Sequence, residues 1–335
     1  MEITVRPAKM SDSKGIVNLH CSEVSAWYRD PVTKTGRTTY ARLTPVQRFL
    51  HGGYWMDEGF CRRHLRRYSA WGNRVYVAEV RGGPTGPRTV GEIEVWFDRE
   101  PSPFHEYAEI EMIMIDQSSA PGQVERQMIE HVQQEMRALG HVNLDISPEH
   151  SGGSPELLKE FGFQTLWDTR CFTGVPDRIE ECDETVRLGK LGPGNRSLGR
   201  RALQFCHYEP FWFAWENRFR DWYLPKATHR SFFEPLFHKR VRLLKMRRDF
   251  SLLVERLSFF HDEVRAFVWA QTDGEHLKGD GEFVREAATA TAGIVRDLGI
   301  KKFLFYAPWF CEDELRSAGF RDGTKQDLWL RKDLS

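Results

Sequence analysis

Alternating apolar and polar residues mark the strands in the first half of the chain. A short strand at Ile3 to Arg6 is followed by three longer stretches, Val75 to Val80, Thr89 to Asp98 and Tyr107 to Ile115. The predicted elements that follow are a helix at 123–139, a strand at 141–146, a helix at 155–161 and a strand ending near 173. This order predicts an α/β (α+β) fold with a mixed, mostly antiparallel sheet flanked by helices.

One stretch of this pattern occurs twice. The loop Gln117 to Gly122, between a strand and a helix, recurs as His276 to Gly281, 159 residues later (276 minus 117). The glycines that end the following helices, Gly140 and Gly299, keep the same offset. Strands are predicted around the second loop at 241–246, 251–257, 264–271, 302–306 and 328–331, with a helix at 312–318. The repeat predicts two tandem units, at 1–178 and at 185–335, with the second one degenerate.

The segment from Trp27 to Trp71 is longer than a simple connection between a helix and a strand. It contains Thr44 and Pro45, a pair typical of a helix start. Long segments beside a regular scaffold are often functional. We therefore expect this insertion, residues 27–71, to shape a pocket or a lid on the first unit.

The composition indicates a folded protein without a dominant charge. Hydrophobic residues make up 40% of the chain, and 48 basic and 48 acidic side chains give no net charge, which argues against charge-driven binding to nucleic acid or membranes. Basic runs at 62–67, 196–201 and 238–248 are typical of solvated helix faces. The six cysteines lack the spacing of disulfide frameworks and metal sites, and the N-terminus lacks a signal-peptide pattern. These features predict a cytoplasmic protein that binds no metal, and they leave its oligomeric state open.

Two features of the repeated unit could carry chemistry. A strand that ends in a glycine-containing turn and opens into a helix presents unpaired main-chain N–H groups, which suit a phosphate. The same arrangement is also common as a plain connection. On the strand before the first loop, the spacing of Glu109 and Glu111 places both carboxylates on one face of the sheet. Such carboxylates can act as a base or can form a solvated face.

The two loops resemble a motif of a known enzyme family. Gln117-x-x-Ala120-x-Gly122 and His276-x-x-Gly279-x-Gly281 are similar to the pyrophosphate loop, Gln/Arg-x-x-Gly-x-Gly/Ala, of the GNAT superfamily of acyl-CoA-dependent N-acetyltransferases, and each departs from it at one position. The opening Ile3 to Ala8 and the segment Glu160 to Phe163 resemble the family's first strand and fourth helix. The resemblance covers residues 1–174 and about 240–335, and the tandem is similar in layout to mycothiol synthase.

The resemblance implies direct attack of an acceptor amine, on a small molecule or a peptide, on the thioester of acetyl-CoA. In the family a β-bulge separates the fourth strand from the fifth to admit the pantetheine arm, and a carboxylate on the fourth strand is a frequent base. The matching carboxylates are Glu109 and Glu111. The implied cofactor-binding residues are Ile113, Ile115, Gln117, Ala120, Gly122 and Gln123 in the first copy, and His276, Gly279 and Gly281 in the second.

A tyrosine that acts as general acid in many members is missing. Leu158 and Leu315 stand at its position in the two copies. The acid could then be Tyr306 or water, or the activity could be lost. A non-catalytic module that binds CoA or takes part in an assembly is therefore an alternative. A tandem transferase that uses aminoacyl-tRNA also resembles this architecture, but the net charge of zero argues against it.

Two opposing effects bear on which copy holds the cofactor. The second loop has both glycines, but acidic side chains crowd it and would repel a pyrophosphate. These side chains are Asp273, Glu275, Asp280 and Glu282. The first loop is neutral, but Pro121 lacks an N–H group and Ala120 narrows the approach. Because charge repulsion has the longer range, the first copy is favoured, with the acceptor between the two halves under the insertion.

Overall fold

The computed structural model describes residues 2–31, 33–81, 86–180, 188–189, 203–204, 237–245, 249–257, 263–270, 272–297 and 299–335, and the basic run at 196–201 lies outside them. The strands are β1 (Glu2–Pro7), β2 (Trp27–Asp30), β3 (Thr35–Thr38), β4 (Arg74–Arg81), β5 (Arg88–Glu100), β6 (His105–Ile115), β7 (Asn143–Ile146), β8 (Gln164–Gly174), β9 (Leu188–Gly189), β10 (Leu203–Gln204), β11 (Phe237–Lys245), β12 (Asp249–Leu257), β13 (Glu263–Ala270), β14 (Phe303–Pro308) and β15 (Arg321–Asp333). The α-helices are α1 (Ser13–Ser22), α2 (Pro45–Phe49), α3 (Glu58–Ala70), α4 (Pro121–Ala138), α5 (Pro148–Ser151), α6 (Pro155–Glu160), α7 (Gly274–Lys278), α8 (Gly281–Asp297) and α9 (Glu312–Ser317). None of the helices in these ranges has both the length and the apolar character needed to cross a bilayer.

One large sheet runs through the molecule. Its strand order is β1-β4-β5-β6-β7-β15-β8-β14-β13-β12-β11-β9, and β10 pairs with β13. Among the described pairs, β6 with β7 and β13 with β14 are parallel and the others are antiparallel. The predicted mixed, mostly antiparallel sheet flanked by helices is therefore confirmed.

The elements around the two loops correspond in type and order. A strand, a helix, a strand, a short helix and a last strand follow one another as β6, α4, β7, α6 and β8, and again as β13, α8, β14, α9 and β15. The helix starts at Pro121 and Gly281 lie one residue off the predicted offset of 159. The second set therefore repeats the order of the first, with α5 as an extra helix in the first set. The prediction of a loop from His276 to Gly281 was wrong for its first half, because His276 to Lys278 belong to the short helix α7, which has no counterpart before α4.

The last strands of the two sets are exchanged. β15, near the end of the chain, lies between β7 and β8, and it pairs with both of them. In return, β8 pairs with β14. In each set, one neighbour of the short parallel strand therefore comes from the other half of the chain. Strand β15 lies beside β7, and β8 lies beside β14. The predicted division at 1–178 and 185–335 stays a prediction, and the sheet is continuous across it.

The two faces of the first half carry different layers. Val124 and Met128 of α4 pack against Ile93 and Val95 of β5 in one core. On the opposite face, α1 and α3 pack on β4, where Val77 contacts their buried side chains. Because side chains alternate along a strand, Glu92, Glu94 and Trp96 of β5 point toward α1 and α3. The 27–71 insertion, which includes α3 and the β2–β3 hairpin, therefore covers this second face.

Candidate functional site

A β-bulge interrupts the pairing of β5 with β6 at Glu111. Glu94 pairs with Met112 and Val95 pairs with Ile110, so Glu111 has no residue opposite it on β5. A bulge bends the strand that contains the extra residue and disrupts its ladder locally. The family resemblance implied a bulge in the fourth strand, and β6 is fourth in the sheet order from the β1 edge.

From this bulge onward, strand β6 extends beyond the end of β7. The pairing of the two strands ends at Ile110 and Ile146, whereas β6 continues to Ile115. The side chains of Ile113 and Ile115 are buried in the core under α4. Only the main chain of these two predicted cofactor residues is therefore available to a ligand. The carbonyl oxygen of Ile113 lies 3.0 Å from the position that a Cβ on Gly152 would take, so a glycine is needed beside the strand there.

The first loop leaves the start of α4 open. Ala120 is the N-cap, with a left-handed φ of 51°, and it makes no side-chain cap to the helix. Left-handed backbone favours glycine, which explains why the family pattern has glycine at this position. Gly122 is exposed, and among the described residues no heavy atom lies within 4 Å of the position of an added Cβ. Gln117 and Gln123 are also exposed.

An ionic network supports the base of this loop. The carboxylate of Asp116 accepts hydrogen bonds from the main-chain N–H of Ser118 and the hydroxyl of Ser119, both at 2.9 Å, and from Arg88. Desolvation opposes ionisation, but the hydrogen bonds from Ser118, Ser119 and Arg88 prevail and lower the pKa of Asp116 to about 2. The carboxylate that precedes the loop is thus ionised and paired with a guanidinium.

Acidic side chains fill the corresponding place in the second loop. Asp280 accepts a hydrogen bond from the N–H of Phe283 at 3.1 Å, in the first turn of α8. A Cβ on Gly281 would lie 2.4 Å from Oε1 of Glu314, a residue of α9. Two carboxylates therefore stand where an anion would approach this helix. The other predicted residues of this loop, His276 and Gly279, are exposed.

Buried carboxylates lie next to the bulge. Glu109 is 1% exposed, its side chain is hydrogen-bonded to that of Glu111, and its Oε2 has no partner among the described residues. Burial raises the pKa of Glu109 well above its ordinary value, and the negative charges of Glu111, Asp145 and Glu100 act in the same direction. Asp145 lies directly opposite Glu109 on β7. The Glu109 carboxyl therefore holds its proton to a higher pH than an exposed glutamate does.

A guanidinium from the exchanged strand closes this cluster. Nε and Nη2 of Arg331, on β15, each lie 2.6 Å from a carboxylate oxygen of Asp145. The same side chain donates to the carbonyl oxygens of Pro103 at 3.0 Å and Phe104 at 2.7 Å, in the turn between β5 and β6. Asp145 has no exposed surface, so its charge depends on this arginine. Nothing in the sequence analysis indicated either residue.

The structure places the predicted acid, Tyr306, far from Glu109. Tyr306 is 2% exposed and lies on β14, opposite Cys171 of β8. In the sheet, β14 is four strands from β6, a distance of about 19 Å at the usual strand spacing. Leu158 and Leu315, which replace the family's tyrosine, are both buried in hydrophobic cores. Tyr306 is therefore not part of the cluster around Glu109.

Sequence reasoning missed a second set of buried polar groups, under the insertion. Nε2 of His20 lies 2.6 Å from Glu92, and Nε2 of His64 lies 2.8 Å from Glu94. The indole N–H of Trp55 also donates to Glu94 at 2.9 Å, and its ring stacks on His20. The spacing of two between Glu92 and Glu94 on a predicted strand was the available signal, as it was for Glu109 and Glu111. The insertion thus packs onto the strand through paired polar groups.

The pair of His20 and Glu92 is expected to be uncharged at neutral pH. Burial, followed by the negative charge of Glu94, raises the pKa of Glu92 well above its ordinary value. Burial lowers the pKa of His20 to about 4. A protonated Glu92 can then donate its hydrogen to the neutral imidazole.

Replacing Glu92 by glutamine is expected to stabilise the protein increasingly, relative to wild type, as the pH rises above about 6.5. In this range an unfolded chain holds Glu92 ionised, whereas the folded chain takes up a proton, so the wild-type protein loses stability with rising pH. The glutamine does not titrate, and its amide can donate to His20. The measurement is the difference in Tm between E92Q and wild type across the range.

The control for this prediction is E130Q, at an exposed position on α4, which removes the same formal charge. Its Tm difference from wild type should stay flat over the same range. A flat difference for E92Q as well would contradict the protonated state of Glu92.

The fold is similar to that of solved acetyltransferases. A GCN5-related N-acetyltransferase from Anabaena variabilis ATCC 29413 aligns with a TM-score of 0.61 and 10% identity, over 100% of this chain and 73% of that one. One from Kribbella flavida aligns with a TM-score of 0.57 and 10% identity, over 99% of this chain and 72% of that one. No family model matches the sequence, and no curated protein matches it. At this identity the similarity establishes the GNAT fold.

Proposed function

We propose that the protein is an acyl-CoA-dependent N-acyltransferase that binds acetyl-CoA at the first loop and transfers its acyl group to an amine. The observation that carries this proposal is the bulge at Glu111. It lies where the pairing of β6 with β7 ends, on the strand that leads into the loop and the uncapped helix α4. Strand β6 thus leads from a buried carboxylate, past the end of its neighbour β7, to an anion-binding helix start.

The residues of the first loop fit the acyl donor better than those of the second. The exposed Gly122 permits close approach to the N–H groups at the start of α4. The main chain of Ile113 and Ile115 can hydrogen-bond to the amides of a pantetheine arm, which would displace the side chain of Gln117 from the carbonyl oxygen of Ile115. In the second loop, Asp280 and Glu314 would oppose an anion. The donor supplies the reactive thioester, and the chain's own groups must orient it and accept the proton of the acceptor amine.

Glu109 is the proposed base. The acceptor nitrogen forms a bond to the thioester carbonyl carbon, the carbon–sulfur bond breaks, and the proton of the amine must leave. A carboxylate whose pKa is raised by burial is a stronger base than an exposed one, and it can take this proton directly or through water. The thiolate then receives a proton from water, since leucines occupy the tyrosine positions. The acceptor is proposed to be a small-molecule or peptide amine.

The correspondence of the two sets of elements supports a tandem duplication. In this proposal the first unit, residues 1–178, keeps the donor site, and the second unit, residues 185–335, has lost it. The acidic groups at the second helix start, together with the exchanged last strands, support a structural role for the second unit. The similarity in layout to mycothiol synthase remains part of this proposal.

Replacing Gly122 by glutamate is expected to abolish the stabilisation of the protein by acetyl-CoA. A ligand at one hundred times its Kd stabilises a folded protein by about 2.7 kcal/mol. A carboxylate at Gly122 would repel the diphosphate. The measurement is the shift in Tm on addition of saturating acetyl-CoA.

Gly279→Glu is the matched control in the second loop. Gly279 is exposed, and an added Cβ there would lie 3.8 Å from its nearest neighbours, so the same substitution is accommodated. G279E should keep the full shift. If instead G279E loses the Tm shift with acetyl-CoA and G122E keeps it, the donor binds at the second loop. No shift in the wild-type protein would count against the donor site altogether.

A non-catalytic CoA-binding module is the second candidate. The buried leucines at positions 158 and 315 favour it, because both units lack the tyrosine that serves as acid in many relatives. A thermal shift with acetyl-CoA, combined with no acyl transfer to any member of a panel of primary amines and peptides, would support this candidate.

A further inference from the structure

We propose that Arg331, on the exchanged strand β15, is a positioning residue for the site in the first half: it pairs with Asp145 and offsets the negative charge of that carboxylate, so that Glu109 can ionise and act as the base. This role rests on the acyltransferase function proposed above, in which Glu109 is the base. The last strand of the chain would then complete the site of the first unit.

The register of the sheet places the three groups in one row. Glu109 on β6 is directly opposite Asp145 on β7, and Asp145 is directly opposite Arg331 on β15. Residues opposite each other on neighbouring strands have side chains on the same face. Arg331 is therefore about 10 Å from Glu109, two strand spacings away, with the Asp145 carboxylate between them.

The hydrogen bonds of Arg331 fix it in this row. Two of its N–H groups bind the two oxygens of Asp145, and further ones bind the carbonyl oxygens of Pro103 and Phe104. The guanidinium cannot swing toward Glu109 without leaving these partners. It thus acts on Glu109 only through the state of Asp145 and through its own field.

The charged groups facing Glu109 come from each strand that surrounds it. Glu100 on β5, Glu111 on β6 and Asp145 on β7 are negative when ionised, and Arg331 is the cation paired to one of them. Glu100 also accepts a hydrogen bond from the hydroxyl of Tyr107 at 2.8 Å. Without Arg331, the negative charges of Glu100, Glu111 and Asp145 would act on Glu109 with no cation paired to any of them, and they would raise the pKa of the Glu109 carboxyl further.

Replacing Arg331 by methionine is expected to move the acidic limb of the pH profile of kcat/KM to higher pH by about one unit. This is the effect of removing one charge at about 10 Å at an effective dielectric constant of about 20. At a pH below the limb, kcat/KM should fall roughly tenfold. Asp145→Asn should move the limb the other way, because it removes a negative charge and leaves Arg331 in place. The double variant should lie near wild type.

A second measurement does not depend on turnover. The infrared C=O stretching band of protonated carboxylic acids, titrated across the limb, should move to higher pH in R331M by the same amount as the limb and should not move in the double variant. R331K keeps the charge and should keep the band and the limb of wild type. Arg321→Met removes an exposed arginine at the start of the same strand and serves as the charge-matched control.

The outcomes separate this inference from the proposed function. If R331M is folded and both its limb and its infrared band coincide with those of wild type and R321M, Arg331 has only a structural role and the inference is wrong. If R331M does not fold, the pH profiles of D145N and of the double variant test the inference. The acidic limb should move to lower pH in D145N and should return to near its wild-type position in the double variant. If the wild-type protein shows no acyl transfer, the proposed function fails, and the infrared band still tests the role of Arg331.

Discussion

Replacing Glu109 by glutamine is expected to lower kcat by about 10²- to 10⁴-fold, the usual contribution of a positioned general base. Glutamine has nearly the same shape but cannot accept a proton from the acceptor amine. The shift in Tm with acetyl-CoA should be unchanged, since Glu109 lies before the loop that holds the diphosphate. The measurement is acyl transfer to a primary amine, with the binding shift recorded on the same variant.

Glu106→Gln is the control for this prediction. Glu106 lies on the same strand, β6, and is exposed, so the substitution removes an equal charge outside the cluster. The E106Q variant should keep the activity of wild type.

E109Q should also melt no lower than wild type near neutral pH, because a buried carboxyl with a raised pKa costs stability when it ionises. Full activity in a folded E109Q would show that the base is another group.

Replacing Trp329 by alanine is expected to lower the free energy of unfolding by about 3–5 kcal/mol. Trp329 is 1% exposed and belongs to a core built from side chains of both halves, on strand β15, which pairs with β7 and β8 of the first half. Because this strand joins both halves, the loss should be felt throughout one cooperative transition. Denaturant unfolding followed by circular dichroism and by tryptophan fluorescence would measure it.

Trp309 provides the control for the size of the side chain. It is 50% exposed, so W309A should change the free energy of unfolding by no more than about 0.5 kcal/mol. Two separate transitions in W329A, with only the second one shifted, would contradict a single cooperative unit. That result would favour two independently folding domains at 1–178 and 185–335.

The local features of the fold could be predicted from the sequence. Strand alternation located β6, and the glycine-containing loops located the starts of α4 and α8, because these signals depend on neighbouring residues. The carboxylates of Glu109 and Glu111 were found in the same way, from their spacing on one strand. Periodicity also gave the mixed, mostly antiparallel sheet.

The pairings that build the candidate site could not be predicted in this way. Arg331 and Asp145 are 186 residues apart in the chain, and His20 and Glu92 are 72 apart. Nothing in the local pattern around β15 distinguishes a strand that stays with its own unit from one that is exchanged. The role suggested for Tyr306 shows the same limit, since its distance from Glu109 depends on the order of strands across the exchange.

The exchanged strand also affects how the protein folds during its synthesis on the ribosome. Strand β8 is complete at residue 174, but its partner β15 ends at residue 333. At the usual synthesis rate of about 5–20 residues per second, the first half waits roughly 8–30 s for this partner. During that interval β7 and β8 present open edges to the surrounding solution, and a nascent chain stalled before residue 321 would depend on chaperones to stay free of aggregates.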